Sequence, residues 1–509
     1  QKDYDGVLKL MREYIVNHGE ETEPKVLIMS GNSYRFKEDY ADAIRDYSRL
    51  EILYQDKPEA QEASYQKLLC LFKTEDLRLE AHVDQYVSRM KSANIDSPNI
   101  DMAYLLKGER SFGQKKYQEA ADAYANIRVD KVDERYRSQI HYKKGWAMVE
   151  AKRWAEGRDA LTAFVATNPP EDQLPRVYAK RAQCYRGLKE FPHALKDFEK
   201  IVEANPKSRE GEFALHQSGL IHVQMRDYDR AIETFDRLLE TFPETKAAGE
   251  ARYWKGASLY EKKEYAKAVP ELRKARDADP DAYLDKASMK IILSLHYLQN
   301  PDNLSKEIDL LLKRRPETKI SPDVLTQLGY QFFEREDFER AARYLEASAN
   351  REEPSGTNPL VWNYLGRSQL RTGSFAASIQ AFDFYLEGVK SPSQRARVLL
   401  NKATALSKLE KYDEGKTCAE EALTLEKTGQ TYALAWILLG DIAMAKSNYE
   451  EAAMSYIIPS QMFQDPEVTP RALQKAAKAF EKLGEPDKAE DALKELRKNY
   501  PGFFKKKAE

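Results

Sequence analysis

The chain has 509 residues, of which 32% are charged, and its mean hydropathy is −0.71. A formal charge of −2 at pH 7 gives no overall attraction to nucleic acid or anionic lipid, and no apolar run approaches the ~20 residues of a membrane-spanning helix. Three widely spaced cysteines, Cys70, Cys184 and Cys418, predict neither a disulfide framework nor a metal cluster. We therefore expect a soluble helical protein.

The N-terminal residues 1–17 carry one helical pattern without a partner. Their apolar side chains recur at the spacing of a helix face and match, with offsets of 36 residues, the pattern that begins at Tyr40. Because Tyr40 begins the second helix of a hairpin, residues 1–17 correspond to a second helix whose first helix is missing. We expect either a capping helix or a chain that begins inside a longer protein.

From residue 24 onward a helical hairpin recurs, most clearly with a period of 37 residues. In the two best-matched copies Gly219 corresponds to Gly256 and Tyr228 corresponds to Tyr265. Self-similarity at such a period predicts a solenoid, in which each hairpin covers the apolar face of its neighbour.

A single copy shows why its residues recur. Glycine inside a helix costs roughly 1 kcal/mol relative to alanine, so we expect Gly219 to lie against the partner helix, where a side chain would collide. Asp227 is the expected N-cap of the second helix, whose Ala231 and Phe235 face the first helix. Pro243 ends that helix.

The pattern divides the chain into four stretches. Residues 1–95 hold the N-terminal helix and two repeats, and a regular 37-residue block covers residues 96–280. The small and aromatic residues that mark each repeat do not recur over residues 281–322, where Pro301 occupies the place of the second-helix aromatic residue. We therefore expect this stretch to be a divergent repeat that acts as a hinge. A second regular block with the C-terminal helix covers residues 323–509. About thirteen repeats are expected.

The order small residue, aromatic residue, alanine, aromatic residue, proline resembles the tetratricopeptide repeat (TPR). Two copies show the family's Trp-x-x-Leu-Gly opening, at Trp362-Leu365-Gly366 and at Trp436-Leu439-Gly440. This resemblance covers nearly the whole chain and implies an all-α fold, a right-handed superhelical α-solenoid of TPR-like hairpins. The longer period and the endings Phe242-Pro243 and Tyr500-Pro501 are most similar to repeats of bacterial envelope proteins of the TolA-binding and outer-membrane-assembly lipoprotein type.

The sequence contains no pattern typical of a catalytic or cofactor site. The seven histidines form neither His-x-x-x-His nor His-Glu-x-x-His, and no glycine-rich phosphate loop or Gly-x-Ser-x-Gly turn occurs. Acidic residues at helical spacing are typical of a solvated helix face. We expect no enzyme activity, no metal site and no cofactor.

The resemblance also implies a binding surface, because TPR proteins often bind partners on the concave face that their first helices line. Positions counted from the small first-helix residue place eight aromatic residues there: Tyr142, Trp146, His216, Tyr253, Tyr260, Tyr297, Tyr330 and Phe333. The later repeats contribute polar and basic residues: Asn363, Arg367, Arg371, Arg397 and Lys408. Rings beside cations suit an extended peptide with acidic groups. The alternative for each ring is packing between adjacent first helices.

Some TPR proteins clamp a C-terminal carboxylate with basic and amide side chains of successive first helices. Asn363, Arg367 and Asn401 resemble part of that pattern, but Leu434 and Leu438 occupy positions that require basic residues. We expect this clamp to be incomplete.

Three functions are compatible with the sequence. The leading hypothesis is a non-catalytic scaffold or adaptor that binds an extended segment of a partner protein on the concave face between Tyr142 and Lys408. The second is a bacterial envelope component that acts with cell-wall or outer-membrane machinery and contacts glycan through tyrosine and tryptophan. The third is the recognition module of a larger protein. We expect a periplasmic or envelope location, with the cytoplasm as the alternative.

Overall fold

A computed structural model of the chain describes residues 4–349, 353–462 and 465–503. Within those ranges the secondary structure consists of twenty-seven α-helices and five short 3-10 turns, and no strand is present. Contacts between residues divide the chain into two compact units, residues 1–264 (unit 1) and residues 265–509 (unit 2). The predicted all-α fold is confirmed.

Unit 1 contains fourteen helices within its described residues. In chain order they are α1 (Tyr4–His18), α2 (Pro24–Phe36), α3 (Tyr40–Leu53), α4 (Pro58–Lys73), α5 (Leu79–Ser92), α6 (Pro98–Gly113), α7 (Tyr117–Ala125), α8 (Glu134–Glu150), α9 (Trp154–Ala166), α10 (Leu174–Gly187), α11 (Phe191–Ala204), α12 (Arg209–Gln224), α13 (Tyr228–Thr241) and α14 (Ala248–Glu261). Even-numbered helices are the first helices of the repeats and odd-numbered helices the second. The helix predicted near the N-terminus is α1, which packs on α2.

Unit 2 contains thirteen helices in the part of the chain that the structure describes. They are α15 (Tyr265–Ala278), α16 (Pro280–Tyr297), α17 (Pro301–Arg314), α18 (Pro322–Glu334), α19 (Phe338–Ser348), α20 (Pro359–Arg371), α21 (Phe375–Gly388), α22 (Pro392–Lys408), α23 (Tyr412–Leu425), α24 (Gly429–Ala445), α25 (Tyr449–Met462), α26 (Val468–Leu483) and α27 (Pro486–Asn499). The same alternation continues, so the described helices are α1 and thirteen first-and-second pairs, as the repeat count predicted.

Seven of the hairpins close through a glycine of the first helix and a large side chain sixteen residues later. A Cβ atom on Gly219 would lie only 2.5 Å from Cε1 of Phe235, which is fully buried. The same close approach joins six further pairs: Gly31 and Tyr47, Gly108 and Tyr124, Gly145 and Leu161, Gly329 and Leu345, Gly366 and Phe382, and Gly440 and Tyr456. The predicted packing reason for Gly219 is therefore confirmed.

The recurring second-helix aromatic residue is the first residue of its helix. Tyr228 begins α13 and Phe338 begins α19, and Asp227, just before α13, accepts a hydrogen bond from the Arg230 backbone N–H (3.3 Å) as the expected N-cap. Pro301 begins α17 in the same way, since the fixed φ of proline suits the first turn of a helix. The unit boundary falls inside the block predicted over residues 96–280, and the hinge over residues 281–322 stays a prediction.

The turn inside most hairpins uses a left-handed residue two positions before the second helix. Glycine takes that place at Gly373 and Gly484, with φ of +84° and +83°. In seven other turns a non-glycine residue has φ between +59° and +62°: Lys115, Lys152, Lys189, Arg226, Glu336, Glu410 and Ser447. Repetition of this turn fixes the angle at which successive helices pack.

The hydrophobic core runs along each unit as a series of clusters. One cluster of unit 1 contains Phe198, Phe235 and Leu238, and one of unit 2 contains Trp362 and Phe382, all of them buried. Each cluster joins neighbouring repeats, which is the arrangement of an α-solenoid. Among the described helices none is both long enough and apolar enough to cross a membrane.

Candidate protein-binding face

Three first helices of unit 2, α18, α20 and α22, lie side by side and form its first-helix face. Tyr330 and Phe333 project from α18 and Tyr364 from α20. The centroid of the Tyr364 ring is 4.7 Å from that of Tyr330 and 4.9 Å from that of Phe333. The three half-buried rings make a continuous surface, which we call the aromatic bed.

Two arginines of α20 lie against aromatic rings of this face. Cζ of Arg367 is 4.6 Å from the centroid of Phe333 and 5.5 Å from that of Tyr364. Cζ of Arg371 is 5.1 Å from the ring centroid of Phe338, the first residue of α19. Such cation–π contacts hold a guanidinium in place without neutralising its charge.

The positive charge on this face has no acidic counterpart. Among the described residues no carboxylate forms an ion pair with Arg367, Arg371 or Arg397, whereas Arg343 of the same unit pairs with Asp309 at 2.5 Å. Burial lowers the pKa of Arg367, and the nearby Arg397 and Arg371 lower it further. The three like charges therefore favour an anionic group brought by a partner.

Two polar atoms at the same place are buried without a hydrogen-bond partner among the described residues, the hydroxyl oxygen of Tyr330 and Oδ1 of Asn363. Burial raises the pKa of Tyr330 to about 12, so its hydroxyl stays a neutral donor at physiological pH. An unsatisfied buried polar group costs about 1–3 kcal/mol. We call the following set the arginine–aromatic site: Tyr330, Phe333, Asn363, Tyr364, Arg367, Arg371 and Arg397.

The remaining predicted residues of unit 2 have other surroundings. Tyr297 is 55% exposed at the end of α16 and stacks on Tyr265, with the ring centroids 4.9 Å apart. Lys408 is exposed at the end of α22.

In unit 1 the predicted residues on α8 pack against their neighbours. The ring of Tyr142 lies 5.2 Å from Phe164 and 5.6 Å from Trp146. Lys180 places its Nζ 4.7 Å from the ring centroid of Trp146 and pairs with Glu150 at 2.5 Å. This cation is therefore neutralised, unlike Arg367, Arg371 and Arg397 of unit 2.

The other predicted residues of unit 1 lie on α12 and α14. Nε2 of His216 is 3.1 Å from Oε2 of Glu250, at an open cleft between α12 and the segment that follows α13. Tyr253 is buried, with 9% of its surface exposed and its ring 5.2 Å from Trp254, and Tyr260 is half-buried. Tyr253 therefore leaves little ring surface for a partner.

Two residues of the candidate face were missed by the sequence reasoning. Tyr364 lies two positions before Gly366, a position that was not predicted to line the binding face. Its ring nevertheless contacts both rings of α18 and the guanidinium of Arg367. Phe338, the first residue of α19, was not predicted to contribute to this face, and its ring lies against Arg371. A count that included the position two before each glycine would have found Tyr364.

The positions of the family's carboxylate clamp hold apolar side chains in α24. Leu438 is buried and Leu434 packs against the same core cluster. Neither position supplies a cation. Elsewhere in the described ranges no group of three histidine, cysteine, aspartate or glutamate residues is placed to hold a metal ion.

The helical hairpins that recur along both units define the chain as a helical-repeat protein. A tetratricopeptide repeat model matches residues 28–94, 216–283, 326–393 and 400–457, and two further tetratricopeptide repeat models match residues 175–208 and 471–502. The chain therefore belongs to the tetratricopeptide repeat family. Proteins of this family generally mediate protein–protein interactions, and none of the matched families is an enzyme family.

One curated relative is the DnaJ homolog subfamily C member 7 homolog of Dictyostelium discoideum. It is 26% identical over 117 residues, which are 23% of this chain and 21% of that protein. The match therefore spans about a fifth of the relative's length.

Solved structures of other repeat proteins are also similar. Yeast Tom70 is 16% identical with 92% of this chain and 98% of that chain covered (TM-score 0.28), and a MamA protein is 18% identical with 36% and 94% covered (TM-score 0.30). A tetratricopeptide repeat protein from Parabacteroides merdae is 13% identical with 67% and 98% covered (TM-score 0.31).

Proposed function

We propose that this protein is a non-catalytic scaffold whose arginine–aromatic site binds an extended, acidic segment of a partner protein. The observation that carries the proposal is the group of three arginines without carboxylate partners beside a bed of half-buried rings. Arg343 of the same unit, by contrast, pairs with the carboxylate of Asp309.

Each part of the site has a complementary group in such a segment. Aspartate or glutamate side chains bind arginine through two parallel hydrogen bonds, and apolar side chains rest on the aromatic bed.

The length of the segment follows from the three helices that carry the site. Neighbouring helix axes lie roughly 8–10 Å apart, so the distance from α18 to α22 is on the order of 20 Å. An extended peptide advances about 3.3 Å per residue, which gives a bound segment of roughly six residues.

The proposal is tested with a pool of fluorescent peptides of about eight residues that carry aspartate or glutamate at every second position. We expect the double variant Arg367→Gln/Arg371→Gln to bind the pool at least tenfold more weakly than the wild type in fluorescence anisotropy. The double variant Arg335→Gln/Arg343→Gln removes equal charge from ion-paired positions of unit 2 and should bind nearly as the wild type does. Equal binding by both double variants would refute the site.

For the location of the protein we propose the bacterial periplasm or envelope. The support is the resemblance of the endings Phe242-Pro243 and Tyr500-Pro501 to repeats of TolA-binding and outer-membrane-assembly lipoproteins. Fractionation of cells expressing the full-length gene should recover the protein with the periplasm or the envelope. Recovery with cytoplasmic markers, and no export signal in the gene, would overturn this location.

A further inference from the structure

A second cleft lies on the first helices of unit 1, far along the sequence from the arginine–aromatic site. It is formed by α2, α4, α6 and α8 and has a volume of about 450 Å³. Its walls are mainly apolar and include Leu69, Phe72, Leu105 and Ile140, with the 39% exposed ring of Tyr136 at the surface. We call it the apolar cleft. Its size falls in the range of about 300–1,000 Å³ that is usual for ligand pockets.

The apolar cleft also carries two cations that lack acidic partners. Arg35 and Lys73 line it, and no carboxylate of the described residues forms an ion pair with either. Nε of Arg35 is buried without a hydrogen-bond partner in the described part of the chain, and Cζ of Arg35 lies 4.5 Å from the ring centroid of Phe36. No carboxylate of the described residues therefore neutralises either charge.

The one acidic residue of the apolar cleft is already engaged. Glu109 pairs with Lys143 on α8 and accepts a hydrogen bond from the hydroxyl of Tyr124 (3.1 Å). Its charge is compensated from outside the cleft, so the cleft itself presents apolar walls with a positive margin.

We propose that the apolar cleft binds one bulky apolar side chain of an acidic protein segment. The side chain enters between Phe72 and Leu105, where it is removed from water, and a carboxylate next to it in the segment meets Arg35 and Lys73. Apolar burial supplies affinity, and the two cations select an acidic flank. This site lies on a different unit and shares no residue with the arginine–aromatic site, so it extends the proposed function and does not depend on it.

The experiment uses a phage-displayed library of random peptides, selected on the immobilised full chain that carries Arg367→Gln and Arg371→Gln. This background removes selection by the arginine–aromatic site. We expect enriched peptides to contain a phenylalanine, tryptophan, leucine, isoleucine or methionine within two positions of an aspartate or glutamate. Absence of such enrichment would overturn the proposal.

Affinities of the enriched peptides then assign the site. Tyr136→Ala removes an exposed ring of the cleft and Arg35→Gln removes a cation, and each should weaken binding at least fivefold. Two matched controls, Ile52→Ala at a 71% exposed side chain of α3 and Lys25→Gln in the first turn of α2, should leave binding within twofold of the background. Circular dichroism checks that every variant is folded. Unchanged binding by the cleft variants, or equal loss in the controls, contradicts the assignment.

Discussion

Replacement of Gly219 by alanine tests the packing rule of the hairpins directly. The new Cβ would lie 2.5 Å from Cε1 and 2.7 Å from Cζ of Phe235, whereas non-bonded carbon atoms approach to about 3.5–4.0 Å. Either the ring moves by roughly 1 Å or α12 and α13 separate. Overpacking of this kind costs about 1–3 kcal/mol. This cost opposes the gain of about 1 kcal/mol that alanine provides over glycine through its higher helix propensity.

Gly113→Ala is the matched control, because a Cβ at Gly113 meets no atom within 4 Å. Urea denaturation and hydrogen exchange of the α12 and α13 peptides measure the effects, since a solenoid unfolds by segments. We expect Gly113→Ala to be neutral or slightly stabilising, and Gly219→Ala to be less stable than it by about 1–3 kcal/mol. Phe235→Leu in the Gly219→Ala background should recover part of the loss. Equal stability of the two alanine variants would refute the packing rule.

Three further predictions concern the turns, the thiols and the divergent repeat. Arg226→Gly should stabilise the protein by a few tenths to about 1 kcal/mol, because Arg226 has φ of +60°. Arg230→Gly inside α13 should instead destabilise it by about 1 kcal/mol. Urea denaturation of both variants measures the difference in stability. Burial raises the pKa of Cys70 to about 11 and that of Cys184 to about 12. In a Cys418→Ser variant, both thiols should therefore react with an aromatic disulfide reagent at pH 8 only after unfolding, and fast reaction of that native variant would contradict this. Hydrogen exchange should be faster over residues 281–322 than in the repeats on either side if that stretch is a hinge, and uniform protection would exclude it.

The fold was predictable because the residue types that recur in each repeat indicate how its two helices pack. A glycine in the first helix and a large side chain sixteen residues later, such as Gly219 and Phe235, report a close approach of two helices. The left-handed turn was not predictable, because Lys189 and Arg226 are long polar residues with no intrinsic preference for positive φ. The conformation is imposed there by the two helices that the turn joins.

The candidate site was predictable only in part, because equivalent first-helix positions differ in what covers them. Tyr253 and Tyr297 were both assigned to the binding face, but the first is 9% exposed and the second is 55% exposed. The side chains that cover a ring belong to neighbouring helices, so the residue type at one position does not reveal how exposed that residue is. For the same reason the sequence could not show that Arg367 lacks an acidic partner while Arg343 has Asp309.

The salt dependence of binding tests the central claim most directly. Affinity for the acidic peptide pool is measured with the wild type, the double variant Arg367→Glu/Arg371→Glu and the variant Phe333→Ala, from about 0.05 M to about 1 M sodium chloride. Because the screening length falls from roughly 10 Å at 0.1 M to roughly 3 Å at 1 M, wild-type affinity should fall with salt and the charge-reversed variant should bind far more weakly at low salt only. Phe333→Ala should lose a similar factor, roughly tenfold, at every salt concentration, since its loss is apolar contact area. A folded charge-reversed variant that binds the pool as the wild type does at low salt would contradict the account.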